Sequence, residues 1–150
     1  MNKNTIIDGC IKVEKSSAYI YKNLMRKFPE KEDFWKNLFD DEVEHLSFLR
    51  DVKSLGLTDE MEKIDLPPAM PIINKTIKLT ENTTEKIKTG SISLKNALKV
   101  TLKLEESIVE TYTNKIIANL MSCENKLSYK KLVANEKKHI NKIKKMMNAS

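Results

Sequence analysis

Glycine, proline, cysteine and histidine are all scarce in this sequence, and it has no long apolar run. The 150 residues include three glycines, four prolines, two cysteines and two histidines. So few glycines and prolines argue against an architecture of strands and turns and favour long helices. No run of 18 or more apolar residues is present, which excludes a membrane-spanning helix. Cys10 and Cys123 match no metal-pair spacing, so a thiolate metal site is not expected and both thiols are predicted to be reduced.

The charge and the N-terminus carry little functional information. The formal net charge is +6, and lysines occur in every segment of the chain. This distribution favours a generally positive surface, so neither nucleic acid nor a membrane is an expected partner. The polar stretch from Met1 to Asp8 lacks a small-residue cleavage site. We therefore expect a cytoplasmic protein.

Apolar residues recur at three- and four-residue spacing in four segments, which predict helices at about 4–27, 31–54, 93–120 and 125–148. Pro29 suits the first turn of the second helix, and Ser93 suits the N-cap of the third. Residues 55–90 contain three prolines and two glycines and predict a long crossover, with one short helical segment from Thr58 to Lys63. The predicted fold for residues 1–150 is a single all-α domain, a four-helix bundle of two helical hairpins joined by that crossover.

Glutamate interrupts each of the four apolar stripes near its middle. A buried carboxylate is costly unless it is neutralised or paired, so four of them on core faces indicate a bound cation. Two of the four helices also have a histidine three residues after the glutamate, on the same helix face. Counted from the two hairpin turns, all these side chains fall at one height of the bundle. The predicted ligands of a two-metal site are Glu14, Glu42, His45, Glu105, Glu136 and His139.

Several residues near the predicted ligands have either two possible roles or an ordinary structural role. Tyr21 and Tyr112 each follow a predicted ligand by seven residues, so they either hydrogen-bond the ligand carboxylates or simply fill the core. Cys10 lies one turn before Glu14 and is expected to be a buried, inert thiol. Three other glutamates lie about 100° or more from the ligand stripe and are expected in solvent or in salt bridges: Glu44, Glu106 and Glu110.

These residues resemble the ferritin-like di-iron carboxylate superfamily. The segment from Ala97 to Tyr112 resembles the third helix of rubrerythrin-type proteins, and the segment from Phe34 to His45 resembles their second helix. The resemblance implies a ferritin-like bundle in which the same six residues bind two iron ions and two of the carboxylates bridge them. Ile108 stands where rubrerythrins carry a further glutamate. The sequence has no Cys-x-x-Cys pair to bind the iron of a rubredoxin domain, so this domain is not expected. Val43 replaces the haem-ligating methionine of bacterioferritins, so haem is not implied.

The function expected on this basis is that of a di-iron oxidoreductase, with ferroxidase-like or peroxide-scavenging activity towards O2 or hydrogen peroxide. A ligand set of carboxylates and imidazoles also suits manganese or zinc. The sequence does not define the electron donor, and relatives of this type predict a homo-oligomer, with a dimer favoured. A non-enzymatic iron-binding or sensing module is the alternative, and a purely structural bundle is the third reading.

Overall fold

The computed structural model describes residues 3–59, 63, 67–121 and 125–149, with side chains at 6–59, 63, 67–118 and 134–149. This part of the chain is all-α and contains no strand. A one-turn 3-10 helix at Pro29–Lys31 precedes the second helix. None of the described helices is long and apolar enough to cross a bilayer. Within the described residues, six helices have defined bounds: α1 Lys3–Lys27, α2 Glu32–Ser54, α3 Met70–Lys88, α4 Leu94–Glu105, α5 Ile108–Met121 and α6 Asn125–Ala149.

Helices α1 and α2 form a closely packed hairpin. Pro29 lies in the first turn of the 3-10 helix that joins them, where its missing N–H removes no hydrogen bond. Apolar side chains at three- and four-residue spacing form the buried face of α2, with one glutamate and one histidine at its centre. The buried residues of α2 are Phe34, Trp35, Leu38, Glu42, His45, Leu49 and Val52.

Helix α3 packs along α1. The prediction that the crossover at 55–90 has only one short helical segment, from Thr58 to Lys63, is therefore wrong for its second half. The prolines that indicated a loop include Pro71, which is tolerated in the first turn of α3. Gly9 of α1 permits the close approach of the two helices. A Cβ at this position would lie only 2.7 Å from Cγ2 of Ile73, a residue that is itself fully buried.

The helix predicted at 93–120 is interrupted, which is the second difference from the expected fold. Ser93 caps α4 as predicted, with its hydroxyl accepting a hydrogen bond from the backbone N–H of Asn96. The chain leaves the helix after Glu105 and starts α5 at Ile108. The Ser107 hydroxyl accepts a hydrogen bond from the N–H of Glu110, so Ser107 stabilises the first turn of the new helix.

Helix α6 packs against both α4 and α5, and α5 also contacts α2. The described core consists of two hydrophobic clusters at different heights. Cys10, Leu49 and Tyr112 belong to one, while Leu38 and Ile143 belong to the other. Glu14 and Glu42 lie on α1 and α2 between these heights, so a layer of polar side chains separates the two clusters.

Two of the sequence-based expectations fall on residues outside the described set. One is the connection at 122–124, which includes Cys123, and the other is most of the short helical segment predicted from Thr58 to Lys63.

Candidate metal centre

Four of the six predicted ligands are buried. Glu14, Glu42 and Glu105 are at most 2% exposed, and His45 is 8% exposed. Glu136 and His139 are partly buried on α6. The four carboxylates therefore come from α1, α2, α4 and α6, as the positions of the interrupted stripes predict.

One group of potential ligands surrounds the imidazole of His45. Its Nδ1 lies 3.7 Å from Glu14 Oε2 and 3.9 Å from Glu42 Oε2. A third carboxylate is closer still, because Oε1 of Glu110 lies 3.1 Å from the same nitrogen. One ligand atom from each of these four residues can be chosen so that all lie within 4.8 Å of one another. Three carboxylates and one imidazole can thus reach a single cation.

Glu110 is the residue that the sequence analysis missed. The prediction of a solvent-exposed role is wrong, since Glu110 is only 4% exposed, and its ion-pair neighbour is the buried His45. Besides joining the group around His45, it forms a second group with Glu105 and Glu136, again with ligand atoms within 4.8 Å. Glu110 therefore lies between the two groups and belongs to both.

The interruption between α4 and α5 explains this placement. In a continuous helix, residues five apart point about 140° away from each other, so Glu105 and Glu110 could not face the same centre. The turn at 106–107 rotates α5 relative to α4, so that the carboxylates of Glu105 and Glu110 both face the centre. A sequence signal for it exists, because Ser107 followed by Glu110 matches the serine-x-x-glutamate pattern that marks a helix N-terminus.

His139 lies beside the second group without belonging to either set. Its Nδ1 is 3.9 Å from Glu105 Oε1, and its Nε2 is 3.4 Å from Asp41 Oδ2 on the outer side. The imidazole thus faces a buried carboxylate with one nitrogen and a half-exposed carboxylate with the other. Asp41 was not predicted as a site residue, and nothing in the apolar spacing of α2 marks it.

Burial and mutual repulsion raise the pKa values of the clustered carboxyl groups. Loss of solvent, followed by the charge of Glu110, raises the pKa of Glu14 to about 8 despite the opposing effect of His45. The same two causes raise the pKa of Glu136 to about 8 and that of Glu105 well above its usual range. Burial opposes protonation of His45, but the charges of Glu110 and Glu14 outweigh it and raise the histidine pKa well above its ordinary value.

Several polar atoms of the centre have no hydrogen-bond partner in the part of the chain that the structure describes. They include both carboxylate oxygens of Glu14, Oε2 of Glu42 and Oε1 of Glu136. His45 Nδ1 is also in this set, since its approach to Glu110 lacks hydrogen-bond geometry. Buried polar atoms are normally satisfied, so a concentration of unsatisfied oxygens in one layer points to a group that binds there.

The residues around the centre separate into buried and exposed sets. The hydroxyl of Tyr21 is buried without a hydrogen-bond partner among the described residues, and its pKa is raised well above its usual range by burial and by the nearby glutamates. Tyr112 is buried in the cluster that contains Cys10 and Leu49. Glu44 and Glu106 are exposed, and Glu106 lies 4.0 Å from the ammonium of Lys144.

Cys10 is fully buried one turn from Glu14 but does not join the ligand groups. Burial, reinforced by the charge of Glu14, raises the pKa of its thiol to about 12. A thiol that stays protonated is a poor metal ligand. The donors of the centre are therefore carboxylates and imidazole, a set that suits iron, manganese or zinc.

The arrangement has the composition of a cation-binding centre. Among the described residues, the only basic side chains within ion-pair distance of its carboxylates are His45 and His139. Five glutamates with so little compensating charge form a buried cluster of ligand atoms that are close enough to bind metal. Comparison of the chain with models of known protein families, with curated proteins and with solved structures finds no match.

Proposed function

We propose that this chain is a ferritin-like di-iron carboxylate protein with oxidoreductase activity. The observation that carries the proposal is the position of Glu110 in both ligand groups. The first metal would be held by Glu14, Glu42 and His45, and the second by Glu105 and Glu136, with His139 beside it. Glu110 would contribute to both.

The charge of the centre supports two cations over one. If all five glutamates are ionised, they carry five negative charges in a buried layer, and two divalent ions nearly neutralise them. Without metal, burial and the charge of Glu110 raise the pKa values of Glu14 and Glu136, so ionising these groups costs free energy. A purely structural role would call for hydrogen bonds within the cluster, yet neither oxygen of Glu14 has a partner among the described residues.

The chemistry would be the reduction of a small oxidant. When bound, two iron(II) ions would supply the two electrons that, with two protons, convert one hydrogen peroxide molecule to two water molecules. The protein holds the ligands on separate helices between two hydrophobic clusters, which limit the access of bulk water. Glu136 and His139 lie on the more exposed side of the centre.

Anaerobic loading with Fe(II) tests this proposal. Elemental analysis of the desalted protein should give about two iron ions per chain. Adding hydrogen peroxide should then oxidise two iron ions for each peroxide consumed. A metal content near zero in folded protein would reject the centre. A content near one would mean that only one of the two ligand groups works.

A second candidate function is a non-enzymatic iron-binding or sensing module that docks on an acidic partner. Lysines occur in every segment of the chain, but the surplus of positive charge lies in α6. This helix contains eight lysines and one acid, while the other residues of the chain include 19 basic and 20 acidic ones. Lys138, Lys142 and Lys145 line a cavity of about 660 Å³ against Phe34 and Asn37 of α2.

The two candidates differ in turnover. A sensing module would bind about two metal ions without consuming peroxide repeatedly, even with a chemical reductant present. An oxidoreductase would consume peroxide in repeated cycles under the same conditions. The comparison needs only ascorbate, peroxide and the iron-loaded protein, with iron released into solution measured as the control.

A further inference from the structure

A second cavity, of about 480 Å³, opens between α2, α5 and α6 and reaches the candidate metal centre. Its lining includes three predicted ligands, namely His45, Glu136 and His139. The centre is otherwise enclosed by the helices that carry Glu14 and Glu105, both of which are almost completely buried. This cavity is therefore an opening through which solvent can approach the ligand layer.

The outer part of this cavity is acidic. Asp41, Glu44 and Asp51 of α2 line it, and no lysine or arginine does so among the described residues. The cavity lined by Lys138, Lys142 and Lys145 lies on the other side of His139, which borders both. Two neighbouring openings thus have opposite charge, although the chain as a whole is basic. Only the acidic one would attract a cation.

An independent feature at the inner end of the cavity also points to a cation. His45 lines it and is only 8% exposed, and its Nδ1 has no hydrogen-bond partner in the described part of the chain. Oε1 of Glu136, also in the lining, is likewise without a partner. An imidazole nitrogen and a carboxylate oxygen are both ligands for divalent transition metals.

Asp41 and His139 lie between the acidic outer part of the cavity and the buried ligands at its inner end. Oδ2 of Asp41 lies 3.4 Å from Nε2 of His139, and the aspartate side chain is 42% exposed. The opposite nitrogen of the same imidazole lies 3.9 Å from Oε1 of Glu105 in the centre. A cation that enters between the acidic side chains would meet this pair before it reaches the buried carboxylates.

We propose that this acidic cavity is the route by which divalent metal ions reach the centre, and that Asp41 and His139 form the first binding point along it. This route rests on the proposed two-metal function, to which it adds an entry path for the metal ion and a role for Asp41 in guiding the ion inward. Asp41 would act by guiding the ion and would not belong to the final ligand set. Its loss should therefore slow loading without lowering the final metal content.

Stopped-flow absorbance after mixing metal-free protein with Co2+ tests the route without depending on enzyme activity. We expect Asp41→Asn and Glu44→Gln each to slow loading by about threefold or more at low ionic strength, because focused charge raises association rates by about tenfold or more. The difference should shrink in 0.5 M salt, where screening shortens the reach of the charges. Asp40→Asn is the matched control, since Asp40 pairs with Lys36 and does not line the cavity.

A second pair of variants adds charge, so it does not depend on removing an acidic group. Ser47 and Asn37 lie on α2 but line the acidic and the basic cavity respectively. Ser47→Lys should slow loading at least as much as Asp41→Asn, while Asn37→Lys should load at the wild-type rate. The final Co2+ content should stay at about two per chain in all these variants, with helical content checked by circular dichroism.

The outcomes distinguish the route from the centre. If wild-type protein takes up no Co2+, the proposed function and the route both fail. If it takes up two ions and the Asp41, Glu44 and Ser47 variants load at the wild-type rate, the route is wrong and the centre stands. Equal slowing by the control variants would likewise overturn the route, because it would show that overall charge sets the rate.

Discussion

Glu105 and Glu110 lie five residues apart on either side of a helix interruption, and both carboxylates are buried in the same ligand group with Glu136. A continuous helix would have turned one of them towards solvent. The interruption therefore gives the centre a fifth carboxylate. It also places that carboxylate between the two ligand groups, where the proposed two-metal centre would need a shared residue.

Replacing Glu110 should weaken both halves of the centre. We expect Glu110→Gln to bind less than one metal ion per chain under conditions in which the wild type binds about two. Glu106→Gln should retain wild-type binding, because Glu106 is exposed on the outer side of the same turn. Equilibrium dialysis against Zn2+ measures both variants. Wild-type stoichiometry in Glu110→Gln would remove this residue from the centre.

The sequence predicts which glutamates and histidines are buried better than it predicts where the helices between them begin and end. The stripes of α1 and α2 are regular, so spacing alone indicates that Glu14, Glu42 and His45 are buried on facing helices. Glu110 escapes this reasoning because helical phase is counted from one residue to the next. A turn at Ser107 that is not recognised changes the helix face on which every later residue of the segment is predicted to lie.

Helix α3 was missed for a different physical reason. Its sequence is rich in threonine and asparagine and begins near three prolines, so local propensity favours a loop. What stabilises it is packing against α1, where Ile73 lies over Gly9. Such long-range contact overrides local propensity.

The packing of α3 on α1 can be tested at this contact. Gly9→Ala should destabilise the protein by about 1–2 kcal/mol, because overpacking exceeds the gain of about 1 kcal/mol in helix propensity. Ile73→Leu moves the branch away from Cβ and so removes the Cγ2 methyl group that the new Cβ would meet. In that background Gly9→Ala should be neutral or stabilising. Urea unfolding of the four proteins gives the coupling free energy, which should be at least about 1 kcal/mol.

An equal effect of Gly9→Ala in both backgrounds would mean that the two residues are not in contact. The same series would then place α3 elsewhere on the molecule. Because Gly9 is remote from the candidate ligands, metal binding should not change in any variant that remains folded.

The stability of the metal-free protein should fall as the pH rises from about 5 to 8. The pKa of Glu14 and that of Glu136 are raised to about 8, so the folded state binds protons that the unfolded state has already released. The raised pKa of His45 acts in the same direction, since its contribution is lost as the pH rises through the folded-state value. Each extra proton held by the folded state lowers the unfolding free energy by about 1.4 kcal/mol per pH unit.

Urea titrations in the presence of a chelator at several pH values would measure this slope. With saturating metal the slope should flatten or reverse, because the ligands bind the ion in their deprotonated forms. A metal-free protein whose stability rises between pH 5 and 8 would contradict the assignment of raised pKa values to the centre.

The last prediction separates a centre built for metal from one built for structure, and it concerns Glu14. This side chain is fully buried, and both its oxygens lack hydrogen-bond partners among the described residues. Glu14→Met replaces it with an apolar side chain of similar length. Replacing buried charged groups in this way is often neutral or stabilising by about 1–4 kcal/mol. At pH 8, which is close to the raised pKa of Glu14 and where its carboxyl group is partly ionised, we expect the metal-free variant to be at least as stable as the wild type.

Metal should reverse this order. At a concentration 1,000-fold above its dissociation constant, a bound ion stabilises the folded state by about 4 kcal/mol. Glu14→Met should lose at least the part of this stabilisation that comes from the ion beside His45. Glu106→Gln should show the same metal-induced rise in melting temperature as the wild type. Thermal melts of the three proteins with chelator and with Zn2+ would show whether metal reverses the order of stability of Glu14→Met and the wild type. If Glu14→Met unfolds without metal and Zn2+ does not stabilise the wild type, the metal-free fold requires the Glu14 carboxyl group, and the proposed metal centre is wrong.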